Sequence, residues 1–342
     1  MRIPFILLLV SGLLLSCKPI ANQTDQKASE QILNIAFGSC NKHDLENRLW
    51  DDILNLKPDL WIWGGDNIYA DTDDMSVMRR MYQAQDSVPG YRKLLLNVPI
   101  LGTWDDHDYG LNDGGVEFTA KAKSQQVFLD FLKVPENDVR RTRQGIYKAH
   151  DYKLDGGSVK ILVLDTRYFR SPLIKDTLTN KRYIPDLSGE ATVLGDEQWN
   201  WLEEQLKTSR ADFNLIVSSI QFLSNEHGFE CWGNFPAEVS KMEAMIAASG
   251  ARGVIILSGD RHISEFSSKN IPGLPYPLLD FTSSGLTHAY TKFKGEPNRF
   301  RQGEVVATES FGWVSINLKT KEVILQMRGD QGTLLGELQQ NY

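Results

Sequence analysis

Apolar positions along this chain fall in short runs whose spacing switches repeatedly between strand and helix. "ILNIAFG" (32–38) is β-branched and apolar, reads as a strand, and breaks at Gly38 into Ser39, Cys40 and Asn41. Residues 44–57 place Leu45, Leu49, Ile53 and Leu56 near helical spacing, and Pro58 stops them. "DLWIW" then returns as a strand, "VPILGTW" is another, and 116–132 is expected to be helical. "GIYKAHDYKL" and "VKILVLDTR" form a predicted hairpin through Asp155, Gly156 and Gly157. Further on come a helix opened by Asp196 and running to about Ser209, the strand "FNLIVSSIQF", and a helix from Pro236 to near Gly250. "GVIILSGD" is a buried strand, and "FGWVSINL" and "VILQMRG" close the pattern as a hairpin turning at 319–321. No internal repeat, low-complexity tract or Pro/Ser-rich linker divides residues 32–342, so one α/β domain is expected, with two packed sheets covered by helices on both outer faces.

With 342 residues, 41% of them hydrophobic, the chain can fill a large core. The first residues, MRIPFILLLVSGLLLSCKPI, carry one Arg before an apolar run ending at Ser16 and Cys17. This pattern reads as a signal peptide over 1–16, and LLSC resembles a lipobox in which Cys17 is lipidated; an ordinary cleaved signal and an uncleaved anchor are the alternatives. Residues 17–31 then read as a tether. An extracytoplasmic, membrane-anchored bacterial lipoprotein is therefore expected. The formal charge of −7 becomes −8 once Arg2 is removed, and with no Lys/Arg run the chain is a poor nucleic-acid binder. Of the remaining cysteines, Cys40 and Cys231 could form a disulfide in an oxidising compartment, or Cys40 could bind metal.

The chemistry concentrates where apolar strands stop. Four runs end in ligand-type residues: "FGSC" at Cys40, "GGDNIYAD" at Asp66 and Tyr69, "TWDDHDYGLND" from Asp105 to Asp113, and "LSGDRHISE" at Asp260 and His262. A single strand-terminal aspartate is an ordinary cap or turn residue. Four such clusters are expected to meet beyond the carboxyl ends of the strands, where α/β sheets bind ligands. Carboxylates, an imidazole, a thiolate and a phenolate form a mixed hard and soft set, suited to a transition metal beside harder divalent ions. A core tyrosine is the plain alternative for Tyr69, and a loop histidine for His107.

In these motifs the sequence resembles the alkaline phosphatase D family of metallophosphoesterases: FGSC, GGDxIYAD, WDDHD followed by ND, and SGDxHxSE occur in order over Phe37 to Glu265, and "DFTSSGLTH" (280–288) also matches. The resemblance implies a metallophosphoesterase-like α-β-β-α sandwich and a metal cluster in which Asp66 bridges two ions. Cys40, Asp66, Tyr69 and His262 would surround iron (Fe3+), while Asp105, Asp106, Asp260 and Asn112 would serve a neighbouring calcium (Ca2+) site, with the choice between Asp105 and Asp106 open. His107 would be the catalytic histidine. Asn67 is a candidate on the substrate side; Arg261, between two supposed ligands, either contacts phosphate or points away because adjacent strand side chains alternate, and His288 either touches substrate or caps its loop.

Clustered metals polarise phosphoryl oxygens and acidify bound water, which is what hydrolysis of a phosphoester anion requires. The expected function is accordingly hydrolysis of phosphomonoesters, phosphodiesters or both by a metal-activated water or hydroxide. The alternatives are a phospholipase C-like diesterase acting on lipid headgroups and a non-catalytic phosphate-binding lipoprotein. Compared with many family members the chain is short, reaching its first site strand about twenty residues after Cys17 and stopping soon after its last hairpin. An open site that admits larger esters is the expectation.

Overall fold

In the computed structural model, residues 32–342 are described, so the expected signal peptide, tether and lipidated Cys17 lie outside the described residues. The strands are β1 (Ile32–Gly38), β2 (Leu60–Gly64), β3 (Ile100–Thr103), β4 (Lys148–Leu154), β5 (Gly157–Val163), β6 (Ile174–Lys175), β7 (Tyr183–Ile184), β8 (Phe213–Val217), β9 (Val254–Ser258), β10 (Ser264–Lys269), β11 (Leu278–Ser283), β12 (Arg301–Val306), β13 (Phe311–Asn317), β14 (Glu322–Arg328) and β15 (Leu334–Asn341). The helices are α1 (Leu49–Asn55), α2 (Met75–Ser87), α3 (Pro89–Asn97), α4 (Asp106–Tyr109), α5 (Lys121–Phe131), α6 (Gly195–Thr208) and α7 (Pro236–Ser249).

Two mixed sheets face one another, one in the order β15-β14-β13-β1-β2-β3 and the other β12-β10-β11-β9-β8-β5-β4. The parallel strands β1-β2-β3 form one end of the first sheet, continued by antiparallel β13-β14-β15, and β11-β9-β8-β5 form the parallel centre of the second, flanked by antiparallel β10-β12 and β4. The period-2 alternation of strand side chains sorts the core into layers. In β2, Leu60 and Ile62 join Ile35, Phe37, Leu215, Val217, Ile255 and Leu257 between the sheets. The intervening Trp61 and Trp63 point the other way, against Trp50 of α1 and Tyr91 of α3. On the far side Ile216 and Ile256 pack with Trp199 and Leu202 of α6 and Met242 and Ile246 of α7. The result is the expected metallophosphoesterase-type layering of helices, sheet, sheet and helices, and the described residues form one compact unit.

Several boundaries move for local reasons. The helix expected over 44–57 starts only at Leu49, whose N–H is taken by Asn47 Oδ1 at 2.9 Å. The helix expected over 116–132 occupies 121–131. The strand expected over 213–222 leaves the ladder after Val217, because Ser218 and Ser219 turn their hydroxyls to Ile220 O (2.7 Å) and Asp105 Oδ1 (2.5 Å). Helices α2 and α3 and the edge strand β15, which continues the chain beyond its final hairpin, have no counterpart in the pattern reading.

Candidate metal centre

All seven parallel strands deliver residues to one place. Beyond β1 stand Ser39 and Cys40, beyond β2 Asp66 and Tyr69, beyond β3 Asp105, Asp106 and His107. The second sheet supplies Arg167 after β5, Ser219 after β8, Asp260 and His262 after β9, and Ser284 and His288 after β11. A bridge between Ser39 and Ser284, with Ser39 O accepting from Gly285 N (3.2 Å) and Leu286 N (3.1 Å), ties the two sheets together at this rim.

The loops are forced into uncommon backbone geometry to reach it. Ten non-glycine residues among those described have positive φ, and six of them, Cys40, Asp66, Asp71, Asp113, Asp260 and His262, lie in or beside the cluster. A left-handed residue costs about 1–2 kcal/mol. Gly65, at φ +100, has no such penalty, and a Cβ there would stand 2.6 Å from Asp105 Cβ. Buried Asp108 pins the β2 and β3 loops to each other: its Oδ1 accepts from Asp105 N (2.6 Å) and Asp66 N (3.2 Å), its Oδ2 from Asn67 Nδ2 (2.6 Å) and Tyr82 OH (3.1 Å). Burial pushes the Asp108 carboxyl up to about 7 despite these donors.

On one side of the cluster Cys40 Sγ lies 3.4 Å from Asp66 Oδ2 and 3.1 Å from Ser284 Oγ, and Tyr69 OH lies 3.3 Å from Asp66 Oδ2 and 3.4 Å from His262 Nε2. His262 Nδ1 is hydrogen-bonded to the carbonyl of His288 at 3.0 Å, which leaves Nε2 facing the cluster. Burial alone would raise the Cys40 thiol, but the charge of His262, with hydrogen bonds from His262, Ser284 and Tyr69, brings it down to about 6. Conversely, burial would lower His262, and Cys40 raises it to about 9. Cys40 and Cys231 are both buried free thiols, so the disulfide alternative is not realised.

The other side is made of carboxylates. Asp66, Asp105, Asp106 and Asp260 each bring an oxygen within 4.8 Å of the others. Burial, then repulsion from neighbouring acids, holds Asp66 and Asp260 well above the usual carboxylate range, and burial does the same to Asp105 although Arg167 opposes it. Asp106 goes the other way: burial is outweighed by Arg167, His107 and the donors Asp113 N (2.6 Å) and Asn112 Nδ2 (2.8 Å) on its Oδ2. Arg167, fully buried, donates through Nε to Asp105 Oδ1 (2.6 Å) and through Nη1 to Glu230 Oε2 (2.6 Å), while Arg170 pairs with Glu230 Oε1 at 2.9 Å. Asp105 Oδ2 is buried with no hydrogen-bond partner. Acids forced toward protonation by their own proximity, with one oxygen unpartnered among them, suit a multivalent cation, so the residues fit a metal cluster.

His107 sits at the first turn of α4 with its ring over Tyr69 (centroids 4.2 Å apart, planes 33° apart) and its Nδ1 2.8 Å from Asp71 Oδ2. Burial would lower its basicity, but the Asp71 hydrogen bond and the Asp106 charge raise it to about 9. Two residues expected at the substrate stand differently. Asn67 is buried, its amide donating to Thr103 O (3.0 Å) and Asp108 Oδ2, so it fastens the loop. Arg261 pairs with Glu296 (2.7 Å) and lies 4.0 Å over the Phe229 ring, on the flank of the cluster. His288 packs edge-on against His262 (4.4 Å) and Tyr69 (4.8 Å). Asp71, Asp108, Arg167, Glu230 and Ser284 were not anticipated. "VLDTR", a further strand ending in charge, was the available signal for Arg167, whereas Glu230 lies in an irregular segment with none.

The family model for PhoD-like phosphatase matches residues 35–272. The chain belongs to the PhoD-like phosphatase family. It is 24% identical over 215 residues to alkaline phosphatase D of Bacillus subtilis (strain 168), an alignment covering 55% of this chain and 36% of that protein. It thus matches only about a third of the length of this curated relative. Among solved structures, PhoD superposes with a TM-score of 0.71 at 17% identity, covering 91% of this chain and 68% of that one. A dimetal phosphatase from Danio rerio gives 0.54 at 12% identity, covering 91% and 99%. GAP50, described as the anchor in the inner membrane complex of Plasmodium, gives 0.56 at 13% identity, covering 91% and 89%. At these identities the likeness is one of fold.

Proposed function

We propose that this protein is an extracytoplasmic, metal-dependent phosphoesterase that hydrolyses phosphomonoesters, phosphodiesters or both. The observation that carries the reading is the joining of two things in one site: four carboxylates, three of them buried and Asp260 half-buried, with a buried thiol and a half-buried imidazole, and beside them a histidine held by its own carboxylate. Family membership and the name of the Bacillus subtilis relative support the same chemistry.

Cys40, Asp66, Tyr69 and His262 would hold iron, and Asp66, Asp105, Asp106 and Asp260 with Asn112 would hold calcium. Asp105 offers its unpartnered Oδ2, whereas both oxygens of Asp106 already accept hydrogen bonds, from His107 N (2.8 Å) and from Asn112 and Asp113. Asp105 is therefore the better ligand of the two. Bound metals supply Lewis acidity toward a phosphoryl oxygen and lower the pKa of water. The protein contributes the rest. Asp71 orients the His107 ring through Nδ1 and favours the imidazolium, so Nε2 can neutralise a phosphoryl oxygen or protonate the departing alkoxide. A site that only bound phosphate would not need that proton donor, and this argues against a non-catalytic role.

The test is elemental analysis of purified protein followed by a screen of mono- and diesters. Iron, calcium or another divalent metal present together with turnover of a nitrophenyl ester is expected; metal-replete protein that turns over neither class would refute the reading. Anchoring through Cys17 is a separate claim, supported by the lipobox-like LLSC. It predicts wild-type protein in the membrane fraction and release or blocked processing in Cys17→Ala. Several acyl chains hold a protein where one would bind only marginally.

A further inference from the structure

A cavity of about 510 Å3 adjoins the cluster, lined by Phe229, Arg261, His262, His288, Ala289 and Tyr290. It shares two walls with the chemistry, since His262 reaches Tyr69 OH through Nε2 and His288 packs against both rings. Its remaining lining is aromatic. Phe229, 38% exposed, and Tyr290, 45% exposed, are the two most exposed aromatic rings among the described residues, and both line this one cavity. All of the tryptophans there are buried or half-buried.

These rings are held in place. Tyr290 N donates to His262 O at 2.7 Å, so the tyrosine is tied to the same loop as a cluster histidine. Phe229 N donates to His227 Nδ1 at 3.1 Å, and the Arg261 guanidinium lies against the Phe229 ring with Nη2 fixed by Glu296 and Nε buried without a partner. The lining contains no carboxylate, so an anionic phosphoryl group meets imidazoles on this side and the acids on the other. A volume in this range accommodates a substituent of drug-like size, and exposed rings favour flat π-faced groups over a polyol that must be desolvated against them.

We propose that this cavity receives a substituent of the phosphoester and selects a planar aromatic one. The inference rests on the phosphoesterase reading, to which it adds a substrate class, with Phe229 and Tyr290 as specificity-determining residues.

The test compares phenylphosphonate with methylphosphonate, two non-hydrolysable anions that differ in the ring, by calorimetric titration of the metal-loaded protein. The expected result is at least about 10-fold tighter binding of the phenyl compound, the scale of burying one apolar ring. That ratio should fall toward unity in Phe229→Ala and Tyr290→Ala, and Phe229→Leu, which keeps apolar bulk but loses the ring, should recover only part of it. Both side chains are exposed, and circular dichroism checks that the variants fold. A ratio near unity in wild type, or a ratio that survives both alanine variants, overturns the proposal. Turnover of nitrophenyl esters is measured on the same protein: activity with a flat ratio leaves the phosphoesterase standing and removes the pocket, whereas a 10-fold ratio without turnover does the reverse.

Discussion

The two sides of the cluster meet at Asp66 but balance charge in opposite ways. On the Cys40 side a thiol lowered to about 6 faces an imidazole raised to about 9, so the protein can form its own thiolate and imidazolium pair. On the carboxylate side Asp66, Asp105 and Asp260 are all pushed up, and the buried cation among them is Arg167, which it shares with Glu230. The first side is compensated from within. The second is compensated only in part, and a cation bound there would contribute most to folding as well as to chemistry.

Asp66 belongs to both sides, so Asp66→Asn should have the largest effect, removing metal and activity together. Near-normal metal content and turnover in that variant would dissolve the comparison, because no shared residue would then link the sides. His107→Ala removes none of the proposed ligands, although its ring lies over Tyr69, and its backbone N–H bond to Asp106 survives the substitution. Metal content should stay, and hydrolysis should slow by roughly 100-fold or more if His107 acts as an acid. An alkyl ester should suffer more than a nitrophenyl ester, whose leaving group needs less protonation. Equal losses on the two substrates would leave His107 as an electrostatic partner of phosphate only.

Arg167→Met sharpens the contrast through stability. It strips Asp105 of its buried cation and leaves Glu230 with Arg170 alone, and breaking a buried pair from one side costs about 3–5 kcal/mol. Saturating calcium should restore more stability to this variant than it adds to wild type, since binding stabilises by mass action and the variant has more uncompensated charge. Chemical denaturation with and without calcium reads both numbers. An equal calcium increment in the two proteins would mean that Arg167 supports only Glu230 and not the ligand carboxylates.

How much of this was legible beforehand depends on how locally each residue is encoded. Cys40, Asp66, Asp105, Asp106, Asp260 and His262 follow directly on apolar strands, and a strand end has only one place to go in a parallel sheet. Asp71 lies inside the "GGDNIYAD" stretch, but its role requires the loop to turn back onto α4, which spacing does not show. Arg167 and Glu230 are 63 residues apart, and their pairing exists only once β5 and the segment before α7 are brought together. Helix α2 was hidden for a similar reason. Its buried face is Met78, Tyr82 and Gln85, and Gln85 is buried because its Oε1 accepts from Asn41 Nδ2 at 2.7 Å in the β1 loop, so a tertiary contact interrupts the apolar period. The same holds for Asn67, a candidate for the substrate side whose amide instead joins two loops.

The smallest expected effect separates the two buried cysteines. Cys231 caps the short turn before α7, and burial pushes its thiol up to about 12, so it is a neutral packing residue. Cys231→Ala should cost on the order of 1 kcal/mol and leave metal content and any visible colour intact. Cys40→Ser replaces the proposed soft ligand, whose Sγ lies 3.4 Å from Asp66 Oδ2, by a hydroxyl, so it should disturb any iron absorption band and lower activity while leaving calcium binding on the carboxylate side intact. If Tyr69 binds ferric iron as phenolate, Tyr69→Phe should abolish or strongly shift that band, which assigns the colour to the tyrosine separately from the thiolate. Colourless, iron-free protein would remove iron from the Cys40 side. Equal loss of colour in both cysteine variants would mean that the band reports general loosening of the fold and not ligation by Cys40.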